Sequence, residues 1–342
     1  MIRVLVVDDS AFMRKAISTM LDDDPAIQVV GTAANGLEGV EQAAKLLPDV
    51  VTMDIEMPKM DGLAALRQIM MANPCPVLMV SSLTEEGADA TLHAMELGAA
   101  DYIPKRLTRA SLDIVRIEAD LVAKVKNVSG RPIRHAKRRR TEKVVLPTTQ
   151  STFRDIIAVG VSTGGPPAVQ KILKSFAADF SGSLLIAQHM PANFTGPFAT
   201  RLNNLCDITV KEGVHGEPVL PAHAYVCPGG QHMRVNKNGE NLILEISPHP
   251  EDALYKPSVD ELMQSVGTVI PERTVGVILT GMGRDGTLGC ASLKQNGGII
   301  LTQSDSTCVV YGMPRSVEQS GLSDKVVDID DMATVIIESM LA

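Results

Sequence analysis

The chain has 342 residues, enough for two domains of ordinary size, with 45% apolar and 21% charged residues and a net charge of −8. That composition is ordinary for soluble protein, and no apolar run approaches the roughly 18 residues needed to cross a bilayer. Tryptophan is absent and aromatics are 3%, which argues against a base-stacking platform for nucleic acid. The five cysteines are widely spaced with no Cys-x-x-Cys, so neither a disulfide framework nor a zinc site is expected. The N-terminus, Met1 to Asp9, is too short and too soon acidic for a signal peptide, so a cytoplasmic protein without membrane insertion is expected.

Strand and helix alternate five times over the first 125 residues. Strands are predicted at Ile2–Val7, Ile27–Gly31, Val50–Met53, Val77–Val80 and Ala100–Ile103. Helices are predicted at Ala11–Leu21, Leu37–Leu46, Gly62–Met71, Glu86–Leu97 and Arg109–Val125. This alternation predicts a five-stranded parallel sheet covered on both faces, with function beyond the carboxyl ends of the strands. At those ends stand Asp8 and Asp9, Asp54, Ser81 and Lys105. Three carboxylates on one rim cannot all stay ionised without a cation, and oxygen ligands with room for water and a phosphate suit Mg²⁺. A lysine and a hydroxyl beside them suit phosphoryl oxygens. One such acid alone would usually be a helix cap.

The segment 124–143 holds nine Lys/Arg against Glu142 alone, Gly130 and Pro132 interrupt it, and Pro147 stands just beyond its end. This is linker composition, polar and self-repelling, so the domains are expected at 1–123 and 152–342, with a basic linker at 124–151. An acidic partner surface is the functional alternative. No nucleic-acid partner is expected, because the remainder shows no recognition-helix pattern.

After the linker, strands are predicted near Ile156–Gly160, Leu184–Gln188, Ala224–Cys227, Leu242–Ile246, Val275–Leu279 and Ile299–Thr302. Helices are predicted at Ala168–Phe176, Val259–Val266, Gly286–Gln295 and Ala333–Met340. This is a second doubly wound domain with a mostly parallel sheet, and the pieces around Arg234 and Glu245 form a small inserted hairpin. Its first strand runs into Gly160-Val-Ser162-Thr-Gly164-Gly165-Pro-Pro. Gly-x-Ser-x-Gly between strand and helix displays a nucleophilic serine, and the helix amides beyond it can stabilise negative charge. The same kind of turn can instead cradle a phosphate or nucleotide, or merely make a corner. A phosphate loop, however, carries a lysine within the turn, and here Lys171 lies seven residues past Gly164. His189 ends the next strand at the same sheet edge and is the candidate general base. Asp285 follows a strand and a glycine-rich turn, Gly281-Met282-Gly283, and is the candidate acid, with an N-cap role as the bland alternative. The order Ser162, His189, Asp285 differs from that of α/β-hydrolases, so a different fold is expected.

Two resemblances join these readings. Residues 1–125 resemble the receiver domain of two-component response regulators, through Val7-Asp-Asp-Ser10, Met53-Asp54-Ile-Glu56-Met-Pro58, Val80-Ser81-Ser82 and Tyr102-Ile-Pro-Lys105. The family usually has Lys-Pro at the fifth strand, whereas here Pro104 precedes Lys105. The resemblance implies that Asp54 accepts phosphate from a histidine kinase. It implies that Asp8, Asp9, Asp54 and the backbone carbonyl of Glu56 hold Mg²⁺, and that Ser81, Tyr102 and Lys105 form the switch. The second domain resembles the catalytic domain of chemotaxis protein-glutamate methylesterases, through Gly160-x-Ser162-Thr163-Gly-Gly, Gln188-His189-Met-Pro191, Tyr225-Val-Cys-Pro-Gly229-Gly-Gln-His232-Met and Thr280-Gly-Met282-Gly-x-Asp285-Gly286. It implies a Ser162–His189–Asp285 triad with Thr163 and Met282 beside the reacting centre. The implied reaction is hydrolysis of glutamate γ-methyl esters on chemoreceptors, with deamidation of receptor glutamines, and no cofactor for the esterase step.

Overall fold

Apolar strands alternating with capped helices build both halves of the chain. The computed structural model describes residues 1–82, 84–105, 111–130, 154–239 and 241–341. By contacts the chain divides into two units, Met1–Arg139 and Arg140–Ala342. The first contains β1 (Ile2–Val7), α1 (Ala11–Asp22), β2 (Ile27–Ala33), α2 (Gly36–Leu46), β3 (Val50–Asp54), α3 (Gly62–Ala72), β4 (Val77–Ser81), α4 (Glu85–Glu96), β5 (Asp101–Pro104) and α5 (Ser111–Val128). Its sheet has the order β2-β1-β3-β4-β5, and every pair is parallel. The central strands β1, β3 and β4 read as near-continuous Val, Leu and Met runs because helices cover both faces. Ser10, Asn35, Asp61 and Thr84 each accept a backbone N–H at the start of a helix, which fixes where α1 to α4 begin. Strand order reverses between β1 and β3, so Asp8 and Asp54 stand at the switch point of the sheet.

The basic segment expected to start a linker at residue 124 begins on a helix instead. Lys124 is half-buried on α5, where it pairs with Asp101 at 3.1 Å and Asp120 at 3.5 Å, and Lys126 pairs with Asp24 at 2.5 Å. Positive charge satisfied by folded carboxylates has the composition of a linker without being one. Residues 131–151 of the expected linker, and the expected helix start at Arg109, lie outside the described residues.

The second unit contains β6 (Ile156–Val161), α6 (Gly165–Leu173), β7 (Ser183–Gln188), α7 (Ala192–Leu205), β8 (Thr209–Glu212), β9 (His223–Val226), β10 (His232–Asn238), β11 (Asn241–Ser247), α8 (Val259–Val269), β12 (Thr274–Ile278), α9 (Thr287–Gln295), β13 (Ile299–Gln303), α10 (Met313–Gln319), β14 (Lys325–Val327) and α11 (Met332–Leu341). Seven strands form one sheet in the order β14-β13-β12-β6-β7-β9-β8, parallel throughout. Strands β10 and β11 form the expected hairpin, antiparallel and outside the seven-stranded sheet, with Arg234 opposite Glu245, and β11 also bridges Pro218 through Ile243. Helix α7, strand β8, helix α10 and strand β14 have no counterpart among the expected elements. In α7 the Gly196-Pro197 pair inside the helix hides its period, although Phe194, Phe198 and Leu202 line one buried face.

Helix α8 ties the hairpin to the main sheet. Leu262, Met263 and Val266 are wholly buried among residues of β6, β7, β10 and β11, and each such side chain contributes about 2 kcal/mol. A Cβ on Gly160 would stand 2.1 Å from Val259 Cγ1, so only glycine lets α8 approach β6. Strand order reverses between β6 and β12, which places Ser162 and Thr280 side by side at the switch point.

Candidate active site

Ser162 and His189 are brought together by strand register. The last β6–β7 pair is Val161 with Gln188, and the His189 amide donates to the Val161 carbonyl at 3.0 Å. Ser162 and His189 thus leave adjacent parallel strands at the same level, one strand spacing of about 4.8 Å apart. On its other side Ser162 donates its amide to the Thr280 carbonyl at 3.0 Å. Its own carbonyl accepts from the Gly165 amide at 2.8 Å and from Gln188 Nε2 at 3.0 Å, and Gln188 Nε2 also reaches the His189 carbonyl at 3.2 Å. One side chain therefore braces the backbone of both residues.

Glycines make room for this. A Cβ on Gly281 would come within 2.8 Å of Ser162 Cβ, and Gly164, which caps α6, has φ +76°. Thr163 is buried and its carbonyl accepts from Thr280 Oγ1 at 2.9 Å. Met282 lies between Gly281 and Gly283 in a loop fixed at its start. Gly281 donates to the Val310 carbonyl at 2.9 Å, and its carbonyl accepts from the amides of Gly312 at 3.0 Å and Met313 at 2.9 Å.

Asp285 meets the imidazole. Its Oδ2 lies 2.8 Å from His189 Nε2. It also accepts from Ser258 Oγ at 3.0 Å and from the amides of Val259 at 2.7 Å, Asp260 at 3.0 Å and Gly286 at 3.1 Å. The carboxylate thus sits against the N-terminus of α8, where free amides and the helix dipole favour negative charge. Burial alone would push its carboxyl upward. The hydrogen bond and charge of His189, with the α8 amides, overcome that and hold it down at about 2. The N-cap alternative, an aspartate capping the helix that follows it, is not met: Gly286 stands at the N-cap of α9, and Asp285 accepts instead from the first amides of α8.

With Nε2 bonded to Asp285, the proton of a neutral imidazole resides there and the lone pair is on Nδ1. Nδ1 is buried and has no hydrogen-bond partner, so no bond joins it to Ser162 in this conformation. In the Ser-His-Asp arrangement of chymotrypsin-type enzymes the acid faces Nδ1 and Nε2 is the base, so the two nitrogens are exchanged here. A free basic nitrogen held by a carboxylate that stays charged at neutral pH, beside a displayed hydroxyl, can take a proton in an acyl transfer.

Three further residues complete the site beyond the candidate residues, although His232 stands in one of the segments that carry the resemblance. Tyr255 stacks on the His189 ring, Ser258 bonds Asp285, and His232 accepts from the Ser258 amide through Nδ1 at 3.2 Å. The signal for Ser258 was present as Ser-x-x-Glu before an apolar run, and Ser258 caps α8 at Glu261. Lys171, the nearest lysine after the turn, pairs with Asp330.

In the first unit, ligand atoms of Asp8, Asp9 and Asp54 lie within 4.8 Å of one another. Lys105 Nζ is 2.7 Å from Asp54 Oδ1 and 3.3 Å from Asp8 Oδ2, so the Pro-Lys order still delivers the lysine to the acids. Burial raises the Asp54 carboxyl above the ordinary carboxylate range, with Asp8 adding to the rise and Lys105 only partly offsetting it. A desolvated carboxylate left short of positive charge, with two more beside it, fits a hard divalent cation. Glu56 lies exposed in the turn after β3. Ser81 Oγ faces α4, 2.7 Å from Thr91 Oγ1 and 3.1 Å from the Gly87 carbonyl. Tyr102 is buried, with Lys124 Nζ 5.2 Å from its ring centre. Among the described residues no helix is long and apolar enough to cross a membrane.

Comparison with known proteins agrees with both units. The CheB methylesterase family model matches residues 157–336, and the response regulator receiver domain model matches residues 4–115. The chain is 56% identical to a protein-glutamate methylesterase/protein-glutamine glutaminase of Oleidesulfovibrio alaskensis, over 99% of this chain and 100% of that one. A protein of the same name from Pyrococcus horikoshii is 40% identical over 99% of this chain and 94% of its own. Among solved structures, the Thermotoga maritima CheB methylesterase catalytic domain superposes with a TM-score of 0.53 at 34% identity, over 54% of this chain and 98% of that one. Sequence, topology and the arrangement at both sheet edges agree: this chain belongs to the CheB methylesterase family and carries a response regulator receiver domain ahead of its catalytic domain.

Proposed function

We propose that this chain is a protein-glutamate methylesterase that hydrolyses glutamate γ-methyl esters on chemoreceptors, and deamidates receptor glutamines, under control of receiver phosphorylation. The observation that carries the chemistry is the 2.8 Å bond from His189 to Asp285, which leaves the other imidazole nitrogen free at the strand end beside Ser162.

His189 takes the hydroxyl proton as Ser162 Oγ attacks the γ-carbonyl carbon. The carbonyl oxygen gains negative charge and is met by the backbone amide of Met282, with Thr163 beside the reacting carbon. The C–O bond to the methoxy group breaks, the imidazolium returns the proton, and methanol leaves. A γ-glutamyl ester of Ser162 remains. Water, deprotonated by His189, attacks it, and the products are Ser162 and a glutamate carboxylate. With glutamine the leaving group is ammonia. Asp285 stays ionised throughout and holds the imidazole against rotation. The step needs no metal or organic cofactor. The alternative of a phosphate- or nucleotide-holding turn is not supported by Lys171, the first lysine past the turn, which is engaged with Asp330.

In the receiver, Asp54 accepts the phosphoryl group from a histidine kinase. Asp8, Asp9, Asp54 and the Glu56 carbonyl would hold Mg²⁺, which would supply positive charge beside the phosphoryl oxygens. Lys105 pairs with the phosphoryl group, Ser81 turns from α4 toward it, and Tyr102 reorients. The receiver restrains the esterase until then, and phosphorylation shifts the balance only by its differential effect on the two states.

Methanol release from methyl-labelled receptor membranes, with and without a small phosphodonor and Mg²⁺, tests both parts. Release that rises with phosphodonor supports the reading. Release indifferent to it removes the regulation and keeps the esterase, and no release in either condition removes the substrate. A fragment beginning at Thr152 should exceed the unphosphorylated full chain in activity, and equal activity would argue against restraint by the receiver.

A further inference from the structure

The ring of Tyr255 lies on the imidazole of His189, with centroids 4.2 Å apart and planes 8° from parallel. Tyr255 belongs to the connection from β11 to α8, which is fixed at several points. The Gly230 amide donates to the Lys256 carbonyl at 3.1 Å, the Ser258 amide donates to His232 Nδ1 at 3.2 Å, and Ser258 Oγ donates to Asp285 at 3.0 Å. His232 is wholly buried, and burial lowers its pKa, so Nδ1 remains an acceptor while Nε2 faces the Pro250 carbonyl at 3.3 Å. At the outer end of the ring, the Tyr255 oxygen is 3.3 Å from where a Cβ on Gly283 would stand. The tyrosine thus spans from the imidazole face to the glycine loop that carries Met282.

We propose that Tyr255 is a positioning residue of the esterase reaction, holding the plane of the His189 imidazole so that Nδ1 stays available to Ser162, and stabilising the imidazolium once the proton has moved. The inference rests on the serine-hydrolase reading above. The hydrogen bond to Asp285 fixes one atom of the imidazole but not its plane, and a stacked ring supplies the missing constraint. The face of an aromatic ring is electronegative, so it attracts an imidazolium more strongly than a neutral imidazole. A contact that strengthens as charge develops lowers the barrier rather than tightening substrate binding. The charged and titratable groups around His189 have separate places. Asp285 meets its edge, Asp260 on α8 stands behind Asp285, and Tyr255 covers a face.

The test uses the full chain and its Tyr255→Leu and Tyr255→Phe variants. Two rates are followed from about pH 5 to about pH 9: covalent labelling of Ser162 by a fluorophosphonate, and turnover of methylated receptor membranes. Tyr255→Leu should lower kcat and the labelling rate about tenfold with KM unchanged, and move the acid limb of both profiles to lower pH. Tyr255→Phe, which keeps the ring face, should restore rate and limb. A Leu variant equal to the parent, a loss with no movement of the limb, or a Phe variant as slow as the Leu variant would overturn the inference. If the parent chain itself is not labelled at Ser162, the serine-hydrolase reading falls and this inference falls with it.

Discussion

Asp54 and Asp285 occupy matching places in two different sheets. Each ends up at the carboxyl edge of a parallel sheet beside the reversal of strand order, and they are 3% and 7% exposed. Their charges are nonetheless held in opposite ways. Burial raises the Asp54 carboxyl, and Lys105 offsets this only in part. Burial also works against Asp285, yet His189 and the amides at the start of α8 pull it down to about 2. Burial sets the cost of a carboxylate, and the donors around it decide whether the charge survives. The chain completes the environment of Asp285, whose task is to stay charged and hold a histidine. It leaves that of Asp54 incomplete, as the proposed receipt of a cation and a phosphoryl group from outside requires.

The comparison is sharpened most by removing what Asp285 serves. Ser162→Ala should lower turnover about a million-fold, measured as methanol release, while phosphorylation of Asp54 proceeds as before. Asp285→Asn should cost about ten-thousand-fold in kcat, because an amide cannot hold the same imidazole tautomer. The low value of Asp285 also gives a stability signature. A group depressed on folding contributes stability above its unfolded value near 4, and loses it as pH falls through its folded value. The parent should therefore lose on the order of 2 kcal/mol between about pH 4 and about pH 2 that the Asn variant lacks, read from chemical denaturation.

Ser258→Ala tests the donor count directly. It removes one of the hydrogen bonds to Asp285 together with the cap of α8, and should cost about 1 kcal/mol and roughly tenfold in kcat. An unchanged rate would mean that the remaining amides suffice. The smallest effect belongs to Asp54. A carboxylate whose folded value is raised destabilises the fold at neutral pH, so Asp54→Asn should raise the receiver melting temperature, by roughly 4 °C for each ~1 kcal/mol relieved. Mg²⁺ should stabilise the parent and not this variant. A lower melting temperature in Asp54→Asn would show that the pair with Lys105 outweighs the burial and break the comparison.

Much of the site was legible in the residue pattern alone. The strand-end residues Asp8, Asp54, Ser81 and Lys105 stand out because parallel sheets place function at one edge, and Gly-x-Ser-x-Gly marks Ser162 through local backbone need. His189 is legible because it ends the next apolar strand. The site roles of Tyr255, Ser258 and His232 were not. Tyr255 lies in an irregular connection without period, Ser258 reads from Ser-x-x-Glu only as a helix cap, and His232, at the start of β10, has no placement that separates it from other histidines. Lys124 was misread because charge composition does not distinguish a solvated lysine from one paired inside a helix packing.

By itself the sequence determined the alternation of strand and helix in both halves, the five strands of the first sheet, and the residue types at strand ends, because these follow from local periodicity and turn chemistry. Tertiary structure decided what those residues became. Strand register set Ser162 beside His189, the approach of α8 gave Asp285 its amides, and the folded hairpin carried Tyr255 onto the imidazole face. Those contacts join residues tens of positions apart, and their geometry exists only when the separate elements pack.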